Sequence, residues 1–216
     1  MQVLRAQMNP HFIFNCLSSI NRFILKNESE QASDYLTKFS RLIRMVLNNS
    51  KRSFVSLAEE LEMLELYLQM EKLRFKNSFD YTLHKKNGID TDTIFIPPLL
   101  LQPFVENAVW HGLMHKKDNG RLDVDVSTEK NILYCVITDN GVGRSAATAF
   151  QSKSAEKQKS MGMEITKHRM ALINDDANEK TFFEIEDMYD ESGNGKGTRV
   201  VLKIKYKETA DEPLLQ

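Results

Sequence analysis

Leu99-Leu100-Leu101-Gln102-Pro103-Phe104-Val105-Glu106-Asn107-Ala108-Val109-Trp110-His111-Gly112 is the stretch on which the reading of this chain turns: an acid, an amide and an imidazole stand among residues suited to a core. The apolar run predicts a helix from Pro98 to about Gly112, ended by the glycine. On that helix Asn107 and His111 are four apart and share a face. An amide oxygen is a hard ligand that suits Mg²⁺, a cation that keeps several waters and takes its other oxygens from phosphates. Glu106 is suited to orient or deprotonate a water or an acceptor. An amphipathic helix with a solvated Glu106 accounts for the same residues, so the neighbouring segments must decide.

Downstream, strands are predicted at Leu122 to Thr128 and Ile132 to Thr138, joined by a short turn and hence antiparallel. Asp139-Asn140-Gly141-Val142-Gly143 follows the second strand directly. Its glycines let backbone approach a ligand closely, and Asp139 can accept a hydrogen bond from an adenine amino group; the same residues also make an everyday turn. A polar, lysine-rich segment covers Ser145 to Ser160, a helix is predicted from about Gly162 to Asn174, and strands follow at Thr181 to Glu186 and Thr198 to Tyr206. Gly195-Lys196-Gly197-Thr198 before the last strand is either a hairpin turn or a glycine loop beside a nucleotide. Upstream, Phe79, Tyr81 and Leu83 alternate with polar residues, and Thr93 to Ile96 form a β-like run stopped by Pro97-Pro98.

Further upstream the period is helical. Ile13, Leu17, Ile20 and Ile24 form one stripe, and after the polar break Lys26-Asn27-Glu28 a second stripe runs through Ala32, Tyr35, Leu36, Phe39, Leu42, Ile43, Val46 and Leu47. Two such helices predict an antiparallel hairpin with little core of its own, and pairing with a second copy into a four-helix bundle would cover both stripes. Ser56-Leu57-Ala58-Glu59 announces a third helix, running to about Arg74, through a serine and a glutamate three positions apart that can satisfy first-turn amides. The fold class is therefore α+β. A boundary near Ser78 divides residues 1–77, helical, from 78–208, mixed, with 209–216 as a tail, and a hinge is expected near Arg74 to Ser78.

Composition narrows the function classes. The 216 residues carry a formal net charge of -1, with 29 Lys plus Arg against 30 Asp plus Glu, which argues against a nucleic-acid partner or an anionic membrane surface. The two cysteines, Cys16 and Cys135, are too few for a disulfide framework or a zinc site and fit a reducing compartment. The longest dense apolar stretch, Ile94 to Leu101, is far short of the roughly 20 residues of a membrane-spanning helix. A patterned apolar segment is already under way within the first dozen residues, which reads as a piece of a longer protein with any sensor or membrane anchor upstream.

The order Glu106-Asn107 on a helix, Asp139-x-Gly141-x-Gly143 after a strand, Gly162 at a helix start and Gly195-x-Gly197-Thr198 before a strand resembles the nucleotide-binding boxes of the GHKL ATP-binding fold, over about Ile94 to Tyr206. With Asn9-Pro10-His11-Phe12-Ile13-Phe14-Asn15, the chain is similar to the LytS/YehU family of sensor histidine kinases. Ile96-Pro97-Pro98-Leu99-Leu100-Leu101-Gln102-Pro103 is typical of the same family.

The resemblance implies a GHKL sandwich with a mixed, largely antiparallel sheet behind a dimerising helical hairpin. It implies ATP and Mg²⁺ as cofactors, His11 as phosphoacceptor, Asn107 as Mg²⁺ ligand, Glu106 as general base or acceptor-activating acid, and Asp139 as adenine reader. Gly141, Gly143, Gly162, Gly195, Gly197, Thr198 and, more weakly, His111 would line the nucleotide site, under a lid formed by residues 145–160. A homodimer and a response regulator bearing an acceptor aspartate are the implied partners, and a cytoplasmic domain of a membrane-anchored protein is the implied location.

The second glycine box departs from the pattern: it reads Ser160-Met161-Gly162-Met163, with serine in place of its first glycine. An ATPase clamp without phosphohistidine, or a nucleotide-binding dimerisation module without transfer, are the alternative readings.

Overall fold

A computed structural model of the chain describes residues 10–116, 119–144 and 183–209. Helices α1 (Pro10–Leu25) and α2 (Ser29–Asn49) fold back on each other through Lys26-Asn27-Glu28, where Asn27 takes a φ of 58° and the Glu28 amide donates to the Phe23 carbonyl at 2.9 Å. The buried face of α1 is one residue out of phase with the stripe expected from the sequence. Phe12, Cys16, Ser19 and Phe23 are buried, whereas Leu17 and Ile24 are 50% and 58% exposed. Aromatic packing selects this face: Phe12 lies 5.5 Å from the Tyr67 ring and Phe23 5.7 Å from the Tyr35 ring, between centroids. On α2 the expected stripe buries Ala32, Tyr35, Leu42 and Val46 but leaves Leu36 and Leu47 outside.

Helix α3 (Leu57–Arg74) begins with the capping box read from the sequence. The Glu59 amide donates to Ser56 Oγ at 3.2 Å, and the Ser56 amide donates to Glu59 Oε2 at 3.0 Å. Such a start stabilises a helix by about 1 kcal/mol. α3 is buried on most of its circumference, through residues such as Leu57, Leu64, Tyr67, Leu68 and Met70.

A short two-stranded ribbon pairs β1 (Val55–Ser56) with β3 (Phe95–Ile96). Strands β2 (Phe79–Lys85), β4 (Gly120–Glu129), β5 (Ile132–Asp139), β6 (Phe183–Tyr189) and β7 (Gly195–Lys205) form a separate sheet in the order β2-β4-β5-β7-β6. β2 runs parallel to β4, and the other neighbours are antiparallel, with Asp125 opposite Val136 as the short β4–β5 turn requires. Alternate residues Leu122, Val124 and Val126, then Leu133, Cys135 and Ile137, then Val200, Leu202 and Ile204, turn one face of the sheet inward. Their cluster is continuous with the buried residues of α1, α2 and α3, from Phe12 to Ile204.

Helix α4 (Gln102–Asn107) starts four residues later than the apolar run predicts. The cause is tertiary. Leu99 is held at a φ of 56°, outside helical space, and its amide donates to Glu60 Oε2 at 2.8 Å while the Leu101 amide donates to Glu60 Oε1 at 2.9 Å. Glu60, on α3, is 2% exposed. This carboxylate ties the approach to the candidate site down onto α3. Glu60→Ala, which orphans two buried amides, is expected to destabilise the fold by about 3 kcal/mol in urea denaturation, and Glu60→Gln by less. Among the described residues no helix is long and apolar enough to cross a membrane.

Candidate active site

The chemistry-bearing stretch ends in an unusual turn. From Ala108 to Leu113, α4 continues with a wider, π-type winding, and the Met114 amide donates to the Val109 carbonyl, five residues back, at 2.9 Å. Such insertions recur at functional sites because they re-aim side chains. Here the wide turn brings Gly112 against the carboxylate at the end of β5: a Cβ on Gly112 would stand 2.6 Å from Asp139 Oδ1.

Asn107 and His111 from α4, Asp139 from β5 and Thr198 from β7 line one cleft, with Phe104, Ile137, Ile185 and Val200 as apolar walls. Asp139 is 2% exposed. It accepts from the Gly141 amide at 2.8 Å and from the Thr198 hydroxyl, and burial pushes its carboxyl up against the opposing pull of those donors and of Lys116. Each carboxylate oxygen keeps further acceptor capacity. An apolar slot with a recessed acceptor matches a flat heteroaromatic ring carrying an amino group.

The glycines are used differently from the expectation that they simply line a ligand. A Cβ on Gly141 would lie 2.4 Å from the Gly112 Cα, one on Gly195 would lie 2.8 Å from the Val142 carbonyl oxygen, and one on Gly197 would lie 1.9 Å from the Asp139 carbonyl oxygen. These positions let the end of β5 press against α4 and the start of β7. Gly143 does line the cleft, and a Cβ placed on it would meet the Gly195 Cα at 3.0 Å. Gly195-Lys196-Gly197-Thr198 is already strand, paired with β6, and the turn lies earlier, at Asp190 to Asn194.

Glu106 does not line the cleft. Its Oε1 accepts from Gln102 Nε2 at 2.8 Å, and its charge is felt by Tyr67 and Glu71 of α3. Burial pushes its carboxyl up to about 7, opposed by the Gln102 hydrogen bond. Adjacent residues of α4 thus differ in role: Asn107 lines the cleft and Glu106 does not. Tyr67 is also the residue on which Phe12 packs, and His11 precedes Phe12 in the first turn of α1. The His11 side chain, Gly162 and the segment 145–160 lie outside the described residues.

Arg144 was missed from the sequence. It lines the cleft directly after the Asp-x-Gly-x-Gly run and donates to Asp187 through Nε and Nη2, both at 2.6 Å. Its position next to that motif was the available signal. Among the described residues no cluster of three or more His, Cys, Asp or Glu could hold a metal on its own. The Asn107 amide oxygen is a hard donor of the kind that suits Mg²⁺ carried on phosphate oxygens.

Residues 1–79 match the family model described as histidine kinase. Over 140 residues, 65% of this chain and 23% of the relative, the sequence is 34% identical to the sensor protein LytS of Staphylococcus epidermidis. Over 140 residues, again 65% of this chain and 24% of the relative, it is 36% identical to the sensor histidine kinase BtsS of Escherichia coli. The chain spans about a quarter of the length of these curated relatives. Among solved structures, the histidine kinase domain of a blue-light activated histidine kinase from Erythrobacter litoralis aligns with a TM-score of 0.49 at 13% identity, covering 89% of this chain and 91% of that one.

Proposed function

We propose that this chain, a relative of the LytS and BtsS sensor histidine kinases, is the catalytic core of such a sensor, which uses ATP to phosphorylate His11 and passes the phosphoryl group to an aspartate of a response regulator. The observation that carries this reading is the gathering of Asn107, His111, Asp139 and Thr198 in one cleft, with Glu106 next to Asn107 on α4 but outside that cleft, hydrogen-bonded to Gln102.

In the proposed reaction the apolar slot takes the adenine and Asp139 accepts from its amino group. Asn107, with His111 beside it, holds the phosphate end; Mg²⁺ bound there supplies neutralisation of the phosphate oxygens. The neutral imidazole of His11 attacks the γ-phosphorus in line. An N–P bond forms, the bond to the β–γ bridging oxygen breaks, and ADP leaves with that electron pair. The positive charge on the phosphorylated ring is discharged when its remaining N–H gives its proton to the Glu106 carboxylate. Most of the rate comes from positioning, since a neutral imidazole is already a good nucleophile.

Residues 1–77 are assigned to the acceptor and dimerisation region and 78–208 to ATP binding, with 209–216 as a tail. The exposed Phe14, Leu17, Ile24, Leu25, Leu36 and Leu47 of the hairpin support a homodimer, because a second copy would cover them. The placement is the cytoplasmic part of a longer, membrane-anchored sensor. Calorimetric titration with ATP and Mg²⁺ tests the cleft: Asp139→Asn is expected to weaken binding about 10- to 100-fold, by mispairing one buried hydrogen bond. Unchanged affinity would remove Asp139 from the adenine site.

A further inference from the structure

Arg74 closes the last turn of α3, in the segment expected from the sequence to act as a hinge, and its side chain is 10% exposed. The guanidinium carbon lies 4.2 Å from the centre of the Phe75 ring and 4.0 Å from the centre of the Trp110 ring, and the two rings meet edge to face at 5.9 Å. Nη2 stands 3.0 Å from Oε2 of Glu71, whose side chain is fully buried. A planar guanidinium combines stacking on an indole with a carboxylate contact in a way that a lysine ammonium does not. The Arg74 carbonyl also accepts from Arg22 Nη2 of α1 at 3.3 Å.

The cluster is costly. Among the described residues, Arg74 Nη1 and Glu71 Oε1 are buried without a hydrogen-bond partner, and Glu71 Oε2 has only the ion-pair contact with Nη2, which lacks hydrogen-bond geometry. Buried charges of this kind add little to stability compared with an apolar filling, so their presence calls for another role. Three elements converge on this point: the acceptor helix α1, the end of α3, and the wide turn of α4. Trp110 lies between Asn107 and His111 in sequence, yet neither it nor Arg74 lines the cleft.

We propose that Arg74 is a positioning residue for phosphoryl transfer, its side chain clamping the Trp110 turn of the nucleotide helix to the end of α3, which Arg22 of the acceptor helix holds through the residue 74 carbonyl. The proposal rests on the kinase reading above. Asp139 and Thr198 sit on the sheet, so the clamp governs how the nucleotide helix meets α1 more than it governs nucleotide affinity.

Trp110 is the chain's only tryptophan, so its emission reports the clamp directly. In Arg74→Met the rate of phosphorylation at saturating ATP is expected to fall about tenfold or more, with ATP affinity within about threefold, and Trp110 emission to shift red and quench more readily with acrylamide. Trp110→Leu is expected to give the same kinetic split, and the double variant to be no slower than the slower single, because both remove one contact. If Arg74→Met does not unfold cooperatively, Arg74→Lys is read in the same way, with a smaller loss of rate. A folded Arg74 variant with an unchanged rate, a parallel loss of rate and affinity, or additive losses in the double variant would overturn the clamp. The fluorescence measurement needs no kinase activity. If the unsubstituted chain transfers no phosphate, altered Trp110 emission and quenching in Arg74→Met still uphold the contact while the kinase reading fails, and unaltered emission overturns the clamp.

Discussion

Glu106→Gln is expected to slow phosphorylation of His11 by about 10³-fold at saturating ATP while changing ATP affinity by less than about threefold. The split follows from where the side chain stands. Glu106 is outside the cleft that Asn107, His111 and Asp139 line, so the amide replacement removes a proton acceptor without touching the nucleotide's contacts. The pH dependence carries the same signature. Burial raises the carboxyl to about 7, and a base works ionised, so the rate of the unsubstituted chain rises through about pH 7 and levels above it. The glutamine variant is expected to lose that rise through about pH 7.

Stability responds in the opposite sense. Because the folded pKa, about 7, exceeds the unfolded value of 4.5, the folded protein holds the extra proton between those limits; this contribution is fully present below 4.5 and is lost as pH rises through 7. Glu71, raised over the same range by burial, behaves alike. The denaturation midpoint of Glu106→Gln should therefore depend less on pH between 4.5 and 8 than that of the unsubstituted chain. Equal slopes would show that Glu106 is solvated.

Gly197→Ala is expected to cost more than about 4 kcal/mol and to abolish ATP binding. Gly197 has a φ of 127°, a conformation that side chains rarely adopt, and a Cβ there would lie 1.9 Å from the Asp139 carbonyl oxygen and 2.9 Å from the Asn140 Cα. Neither obstacle is the end of a flexible side chain, so the strand must move. The movement falls on Thr198, which is opposite Asp139 in the β5–β7 register and donates to its carboxylate. Gly193, in the preceding turn, is the comparison. Its φ is 79° but no atom lies within 4 Å of a Cβ built there, so Gly193→Ala is expected to cost only about 1 kcal/mol and to leave binding intact. Urea denaturation and calorimetry on the two variants separate backbone strain from collision at the site.

What was legible in the sequence was what local chemistry decides. The α1–α2 break at Lys26 to Glu28, the Ser56–Glu59 start of α3, and the β4 and β5 strands all depend on periods and caps a few residues long, and all stand where the sequence puts them. The clustering of Asn107, His111, Asp139 and Thr198 in one cleft was legible through the order of motifs, not through any single one. The start of α4 was not, because Glu60, thirty-nine residues before Leu99, takes the amides that a longer helix would have used. The buried face of α1 was misread by one residue, since Phe12 and Phe23 are selected by Tyr67 and Tyr35 on other helices. The parallel pairing of β2 with β4 is likewise set by a distant partner.

The most direct test is incubation of the purified chain with γ-labelled ATP and Mg²⁺, beside His11→Ala, followed by acid and base treatment of the labelled protein. The account predicts a label that is lost in acid, survives base and is absent from His11→Ala. Label that persists in His11→Ala, or ATP hydrolysed with no label on the protein at any time, would contradict it.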